Sequence, residues 1–183
     1  LNLVVASLIL WQFPDRLNRP RILNIQFVVL ILISGMAFAV AKPIVLYGEQ
    51  HKYKDKIVYQ EQTRYQKIVV TQWKDNFWLF INGSTQFSTY DEERYHEPLV
   101  HPLMGLIEER NDILILGGGD GLAAREILKY PDVVSLTLVD LDPAMTRLAQ
   151  QDEIFLNINQ GSLNDPRVRV VNEDAYQFIK ESG

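Results

Sequence analysis

The hydrophobic positions of the chain fall into three regimes. Residues 22–41, ILNIQFVVLILISGMAFAVA, carry no charged side chain and show no polar face. Between 57 and 90 the apolar residues come in short β-branched and aromatic runs, IVYQE, YQKIVVTQ and NFWLFIN, which predict strands of a small antiparallel sheet. Asn82-Gly83 separates NFWLFI from STQFSTY, and both residues tolerate positive φ, so a hairpin turn is predicted there. The segment YDEERYHEPLVHPLMGLIEER predicts a helix from about Glu93 with Asp91 as its N-cap. Beyond it the pattern alternates. The run ILIL at 113–116 leads into GGGDG at 117–121, then into the helical spacing of LAAREILKY. SLTLVDLD at 135–142 predicts a second buried strand, and VRVVNE at 168–173 a third, with a helix from about Tyr176. Strand, glycine loop, helix, strand is the first half of a doubly wound α/β domain.

Twenty uncharged residues span about 30 Å as a helix, the thickness of a bilayer core. Residues 22–41 therefore predict a transmembrane helix, and 1–11 the tail of an earlier one. A buried core helix is the first alternative. A signal peptide is the second, since Arg16, Arg19 and Arg21 precede the run and Ala39-Val40-Ala41 resembles a cleavage site. Orientation is not set by charge, because Lys42, Lys52, Lys54 and Lys56 balance the three arginines. The chain opens on Leu1 inside an apolar run, which reads as an internal piece of a longer protein. Three domains are expected: a membrane region over 1–48, a small antiparallel β domain over 49–92, and the first part of a Rossmann-like domain over 93–183.

Composition narrows the chemistry. With 183 residues, 47% of them hydrophobic, there is room for one full domain and part of a second. No Cys is present, which excludes disulfides, thiolate zinc sites and a cysteine nucleophile. The net charge of −5 argues against nucleic-acid binding. Residues 42–183 hold 15 Lys and Arg against 22 Asp and Glu, a balance that suits cationic small molecules. His96-Glu97 with His101 fails as a zinc motif, because the histidines are five apart and Pro98 and Pro102 intervene.

The glycine loop carries the sharpest signal. Gly117, Gly119 and Gly121 permit a tight turn and close approach of backbone to a ligand near a helix start. The spacing is G-x-G-x-G, unlike the G-x-G-x-x-G of dinucleotide dehydrogenases, and no P-loop lysine follows. Asp140 ends the second strand, where an acid accepts hydrogen bonds from ribose hydroxyls. Asp120 inside the loop would repel a pyrophosphate and favour a cationic ligand, such as a sulfonium nucleoside or an amine. Asp174-Ala175 follow the third strand, on the side where open α/β sheets bind ligands; a plain N-cap role for Asp174 is the alternative. Gln66 and Gln86 read by themselves as exposed strand glutamines, and His96 as a structural histidine.

Taken in order, these residues resemble the spermidine synthase family, the polyamine aminopropyltransferases. The resemblance covers residues 57–181. It rests on Tyr65-Gln66, Asn82-Gly83 with Gln86, Asp91-Glu92 with Tyr95-His96-Glu97, Gly117-Gly118-Gly119-Asp120-Gly121 with Arg125-Glu126, Val139-Asp140-Leu141-Asp142, Asp165-Pro166-Arg167 and Asp174-Ala175. It implies a Rossmann-like fold related to S-adenosylmethionine-dependent transferases. It further implies decarboxylated S-adenosylmethionine as cosubstrate, putrescine or a related polyamine as acceptor, and no metal. Gln66 would bind the nucleoside, Asp140 its ribose and Asp174-Ala175 its adenine, with Gln86, Gly117 and Gly119 on the same ligand. Tyr95, His96 and Asp120 would face the polyamine. Asp140 departs from the glutamate common at that place. The catalytic aspartate of the family lies in a D-x-x-D-P segment on the next strand, past Gly183, so these residues are expected to bind without turnover. The apolar N-terminus resembles that of membrane-bound bacterial members. That implies a multi-pass protein of the cell inner membrane, in contact with the lipid bilayer, with its catalytic domain on the cytoplasmic side and homo-oligomers as in other members. An N-methyltransferase acting on a polyamine and a non-catalytic membrane polyamine-binding protein are the alternatives.

Overall fold

The structure, a computed structural model, describes the backbone of residues 20–182 and the side chains of residues 25–40 and 47–181. It divides into two units, residues 1–54 and 55–183. The described part of the first unit is dominated by one helix, α1 (Pro20–Gln50). The expected span at 22–41 is thus helical. Among the described residues, however, no helix is long and apolar enough to cross a membrane. The expected transmembrane helix, the multi-pass placement in a cell inner membrane and the bilayer as partner are corrected on that finding. The partial helix expected at 1–11 lies outside the described residues.

The second unit opens with a four-stranded antiparallel meander: β1 (Lys56–Gln62), β2 (Lys67–Trp73), β3 (Asn76–Ile81) and β4 (Ser84–Ser88). Asn82 (φ 51°) and Gly83 (φ 82°) form the predicted β3–β4 turn, both left-handed as a two-residue hairpin with the strands' own twist requires. The first strand begins at Lys56, next to the predicted start at 57, and Glu49 and Gln50 at the head of the expected β domain belong to α1. Ile68, Val70, Leu79 and Phe87 point from this sheet into the core, where they join Val100 and Met104 of the next helix, α2 (Glu93–Leu106). Asp91 is not the cap of α2. The cap position is Glu92, and its side chain makes no capping bond. Asp91 instead accepts a hydrogen bond from the Ser88 hydroxyl at 2.7 Å.

A three-stranded parallel sheet follows in the order β5 (Asp112–Leu116), β6 (Ser135–Asp140), β7 (Val168–Asn172). Its connections carry α3 (Leu122–Ile127), α4 (Pro143–Gln151) and α5 (Glu153–Asn159), and α6 (Ala175–Ser182) closes the unit. The predicted α/β arrangement is therefore present as a Rossmann-like half-domain with a small antiparallel sheet before it. Central β6 is the most buried strand of this sheet, with Leu136, Leu138 and Val139 fully buried, as a parallel strand covered on both faces must be. The parallel register pairs Leu116 with Val139 and Asp140 with Asn172. The carboxyl ends of all three strands thus finish level, and the glycine loop, Asp140 and Asp174 issue from one edge of the sheet.

Candidate functional site

The glycine loop is shaped by left-handed residues and held by side chains from later in the chain. Gly117 (φ 85°), Gly118 (φ 73°) and Gly121 (φ 84°) adopt conformations that other residues reach only with strain. The Gly117 N–H donates to the Val139 carbonyl at 2.8 Å, which ties the start of the loop to β6. Asn159 donates to the Asp120 carbonyl at 3.0 Å and Ser162 to the Gly121 carbonyl at 2.7 Å. Neither Asn159 nor Ser162 was singled out in the sequence. Both lie some forty residues from the loop, so no local pattern reveals them.

Gly119 is glycine for a different reason. Its N–H donates to Asp140 Oδ2 at 2.9 Å, and a Cβ built on it would lie 2.6 Å from that oxygen. The other oxygen, Oδ1, accepts from the Asp142 N–H at 2.9 Å. The two backbone donors fix the carboxylate in one orientation and occupy two of its roughly four acceptor positions. The remaining two suit a pair of hydroxyl donors, the requirement of a ribose.

Asp120 sits at the tip of the loop. Burial pushes its pKa up, opposed by the hydrogen bond from the Leu122 N–H and by nearby His96; Asp140 and Glu92 push it further up. A carboxylate desolvated among like charges favours a cation beside it. His96 is buried in α2, edge-on to Phe87 and Tyr95. The predicted polyamine residues His96 and Asp120 and the predicted ribose residue Asp140 are therefore brought into one electrostatic neighbourhood. Glu92 belongs to it as well. It is buried, and its two oxygens lie 2.8 and 3.0 Å from Arg125 Nη2. The pair links the start of α2 to α3, the helix that follows the glycine loop.

The other predicted residues surround this centre. Gln86 and Tyr95 line one cleft of about 380 Å³ together with Trp78, Asp91, Glu92 and Arg94. Gln86 is exposed and donates to the Ser84 carbonyl at 3.2 Å. Gln66 lies in the β1–β2 turn rather than within a strand. Its N–H donates to Thr63 Oγ1 at 3.0 Å, and the Thr63 hydroxyl donates to Asp142 Oδ2 at 2.8 Å. The turn that carries Gln66 is thus anchored two residues from Asp140. Thr63 is a third residue that the sequence pattern does not reveal. A cleft of about 450 Å³ opens there, lined by Thr63, Arg64, Tyr65, Asp142, Arg147 and Asn172 among others. Asp174 is exposed and caps α6, accepting from the N–H groups of Tyr176 and Gln177 at 3.0 and 3.1 Å. Its neighbour Glu173 donates its N–H to the Asp140 carbonyl at 3.1 Å, so Asp174 and Ala175 stand immediately beyond the β6 end.

Among the described residues one set of metal-ligand types converges, Glu97, His101 and Glu126, with ligand atoms within 4.8 Å. Glu126 is fully buried and already engaged by Lys129 (2.5 Å), Arg125 (2.9 Å) and His101 (3.0 Å). Those groups neutralise the carboxylate, and the donor set does not call for an ion. Burial works to raise the Glu126 pKa, but the hydrogen bonds from Lys129 and Arg125 outweigh it and hold the value below the ordinary 4.5.

Residues 92–183 match the family described as the spermine/spermidine synthase domain. The chain is 44% identical over 184 residues to the polyamine aminopropyltransferase of Oceanobacillus iheyensis, covering 100% of this chain and 36% of that protein. It is also 44% identical to the polyamine aminopropyltransferase of Leptospira interrogans, over 182 residues with the same coverages. The chain thus spans about a third of the length of the curated relatives it matches. A crystal structure of spermidine synthase from Thermotoga maritima superposes with a TM-score of 0.64 at 28% identity, over 69% of this chain and 43% of that one. A spermidine synthase in complex with the transition state analogue AdoDATO superposes with the same TM-score, identity and coverages.

Proposed function

The chain belongs to the spermine/spermidine synthase family, and from that premise we propose that the whole protein is a polyamine aminopropyltransferase. It transfers the aminopropyl group of decarboxylated S-adenosylmethionine to putrescine and releases methylthioadenosine. The observation that carries the reading is Asp120: a desolvated carboxylate in the glycine loop, within electrostatic reach of Asp140 and His96. That placement suits a cationic nucleoside and a cationic amine, and disfavours a pyrophosphate. The related polyamine aminopropyltransferases, and the spermidine synthase that binds AdoDATO, support the same chemistry.

The residues divide the work as follows. Asp140 accepts from the ribose hydroxyls, with Gly119 at close approach. Gln66, on its anchored turn, and Asp174-Ala175 bracket the rest of the nucleoside, and Gly117 shapes the loop. Asp120, His96 and Tyr95 face the amine and the aminopropyl end, and Gln86 lines the same cleft as Tyr95. In the transfer a neutral amine nitrogen donates its lone pair to the methylene beside the sulfonium. The carbon–sulfur bond breaks, and its electron pair stays on sulfur as a neutral thioether. The new secondary ammonium then sheds a proton. Anionic groups fixed around two cationic reactants supply alignment and offset their mutual repulsion. The resemblance assigns the proton acceptor to an aspartate of a D-x-x-D-P segment, which residues 1–183 do not contain.

The test is product identity from the full-length protein by mass spectrometry. Decarboxylated S-adenosylmethionine and putrescine are expected to yield spermidine and methylthioadenosine in equal amounts. N-methylputrescine formed from intact S-adenosylmethionine would overturn the reading in favour of methyl transfer.

A further inference from the structure

His96 is buried, with 5% of its surface exposed, yet only one of its ring nitrogens is engaged. Nδ1 lies 3.0 Å from the Glu92 carbonyl oxygen and 3.0 Å from Glu92 Oε2. A carbonyl oxygen only accepts, and a carboxylate held in an ion pair with Arg125 only accepts. Nδ1 must therefore carry the proton. Nε2 has no hydrogen-bond partner among the described residues, and it is not one of the enclosed atoms left without a partner there, which are Gln60 Oε1 and Thr71 Oγ1, so it stays accessible to a ligand. The imidazole that carries this nitrogen acts electrostatically on Asp120.

We infer that Glu92 is a positioning residue: it locks His96 in the Nδ1–H tautomer, so that Nε2 presents a lone pair to an N–H of the amine substrate. The inference rests on the polyamine reading above. Arg125 is the outer member of the arrangement. It holds Glu92 from α3, and Glu92 in turn holds the imidazole within α2. The imidazole then receives a donor that the carboxylate Asp120 alone would not orient. A carboxylate attracts a cation from many directions, whereas one sp² lone pair accepts along a single axis. Asp120 supplies attraction, and His96 supplies direction.

The experiment is ¹⁵N NMR of the full-length protein labelled in its histidines, with putrescine as the probe. Wild type is expected to show His96 with a protonated Nδ1 and a pyridine-type Nε2, and the Nε2 signal is expected to move upfield as putrescine is added. Glu92→Gln is expected to mix the tautomers. In turnover it should raise the KM for putrescine about tenfold, as expected for one misaligned hydrogen bond to a charged group, with the KM for the nucleoside unchanged. A wild-type His96 protonated at Nε2 and bare at Nδ1 overturns the inference, even where Glu92→Gln fails to fold. So does an Nε2 signal that putrescine leaves in place. Failure of the functional reading looks different: wild type would then make no spermidine, while the tautomer stays readable without turnover.

Discussion

Gly119→Ala separates the site from the fold. Gly119 does not have the positive φ of its neighbours Gly117, Gly118 and Gly121, so alanine fits its backbone. The obstacle is the Asp140 carboxylate, whose Oδ2 would lie 2.6 Å and Cγ 2.7 Å from the new methyl. One of them must move, and the 2.9 Å bond from the Gly119 N–H is lost with the carboxylate's orientation. A hydrogen bond to a charged group contributes about 1.5–3 kcal/mol, which corresponds to a roughly 10- to 150-fold loss of nucleoside affinity. Gly117→Ala is the control. Its φ of 85° strains an alanine, but nothing lies within 4 Å of the added Cβ. It should cost about 1 kcal/mol of stability and leave the Asp140 bonds intact. Calorimetric titration of methylthioadenosine into full-length protein, paired with urea unfolding, reads both quantities. Wild-type affinity in Gly119→Ala would refute the reasoning, as would a greater affinity loss in Gly117→Ala.

Three further outcomes are expected. The raised pKa of Asp120 means that its contribution to stability is present at acid pH and lost as pH rises through the folded-state value. Asp120→Asn should therefore gain stability over wild type between acid and neutral pH in the ligand-free protein, measured by urea unfolding, while its affinity for putrescine falls at least about tenfold. Glu126 behaves oppositely, because its pKa is held down. Its contribution is present above the unfolded pKa and lost as pH falls through the folded one, so Glu126→Gln should cost about 3 kcal/mol at pH 7, with the deficit shrinking below about pH 4. Thr63→Val removes the bond to Asp142 and frees the turn that carries Gln66; it should weaken methylthioadenosine binding about fivefold, whereas Thr63→Ser should bind as wild type.

What the sequence discloses and what it hides divide along contact range. The Asn82-Gly83 turn, the glycine loop and an acid at the end of β6 are local signals, and each stands where its pattern put it. Asp140 was legible as an acid at the end of β6, but the reason for Gly119 was not, because it lies 21 residues away across a strand. Thr63 reaches Asp142 over 79 residues and Arg125 reaches Glu92 over 33, with no periodicity to betray either. The Asp91 cap failed because a neighbouring hydroxyl, Ser88, took the carboxylate first. Hydropathy over 22–41 reported an apolar helix correctly. Its further meaning, a membrane span, is not met among the described residues.

The central claim is that an acid in the glycine loop selects a cationic nucleoside and a cationic amine. Its most direct test is the ratio of affinities of the full-length protein for decarboxylated and intact S-adenosylmethionine, measured by calorimetry in wild type and Asp120→Asn. The account predicts that wild type prefers the decarboxylated form by at least about tenfold, and that the substitution removes most of the preference. Equal or tighter binding of the intact form by wild type would contradict it.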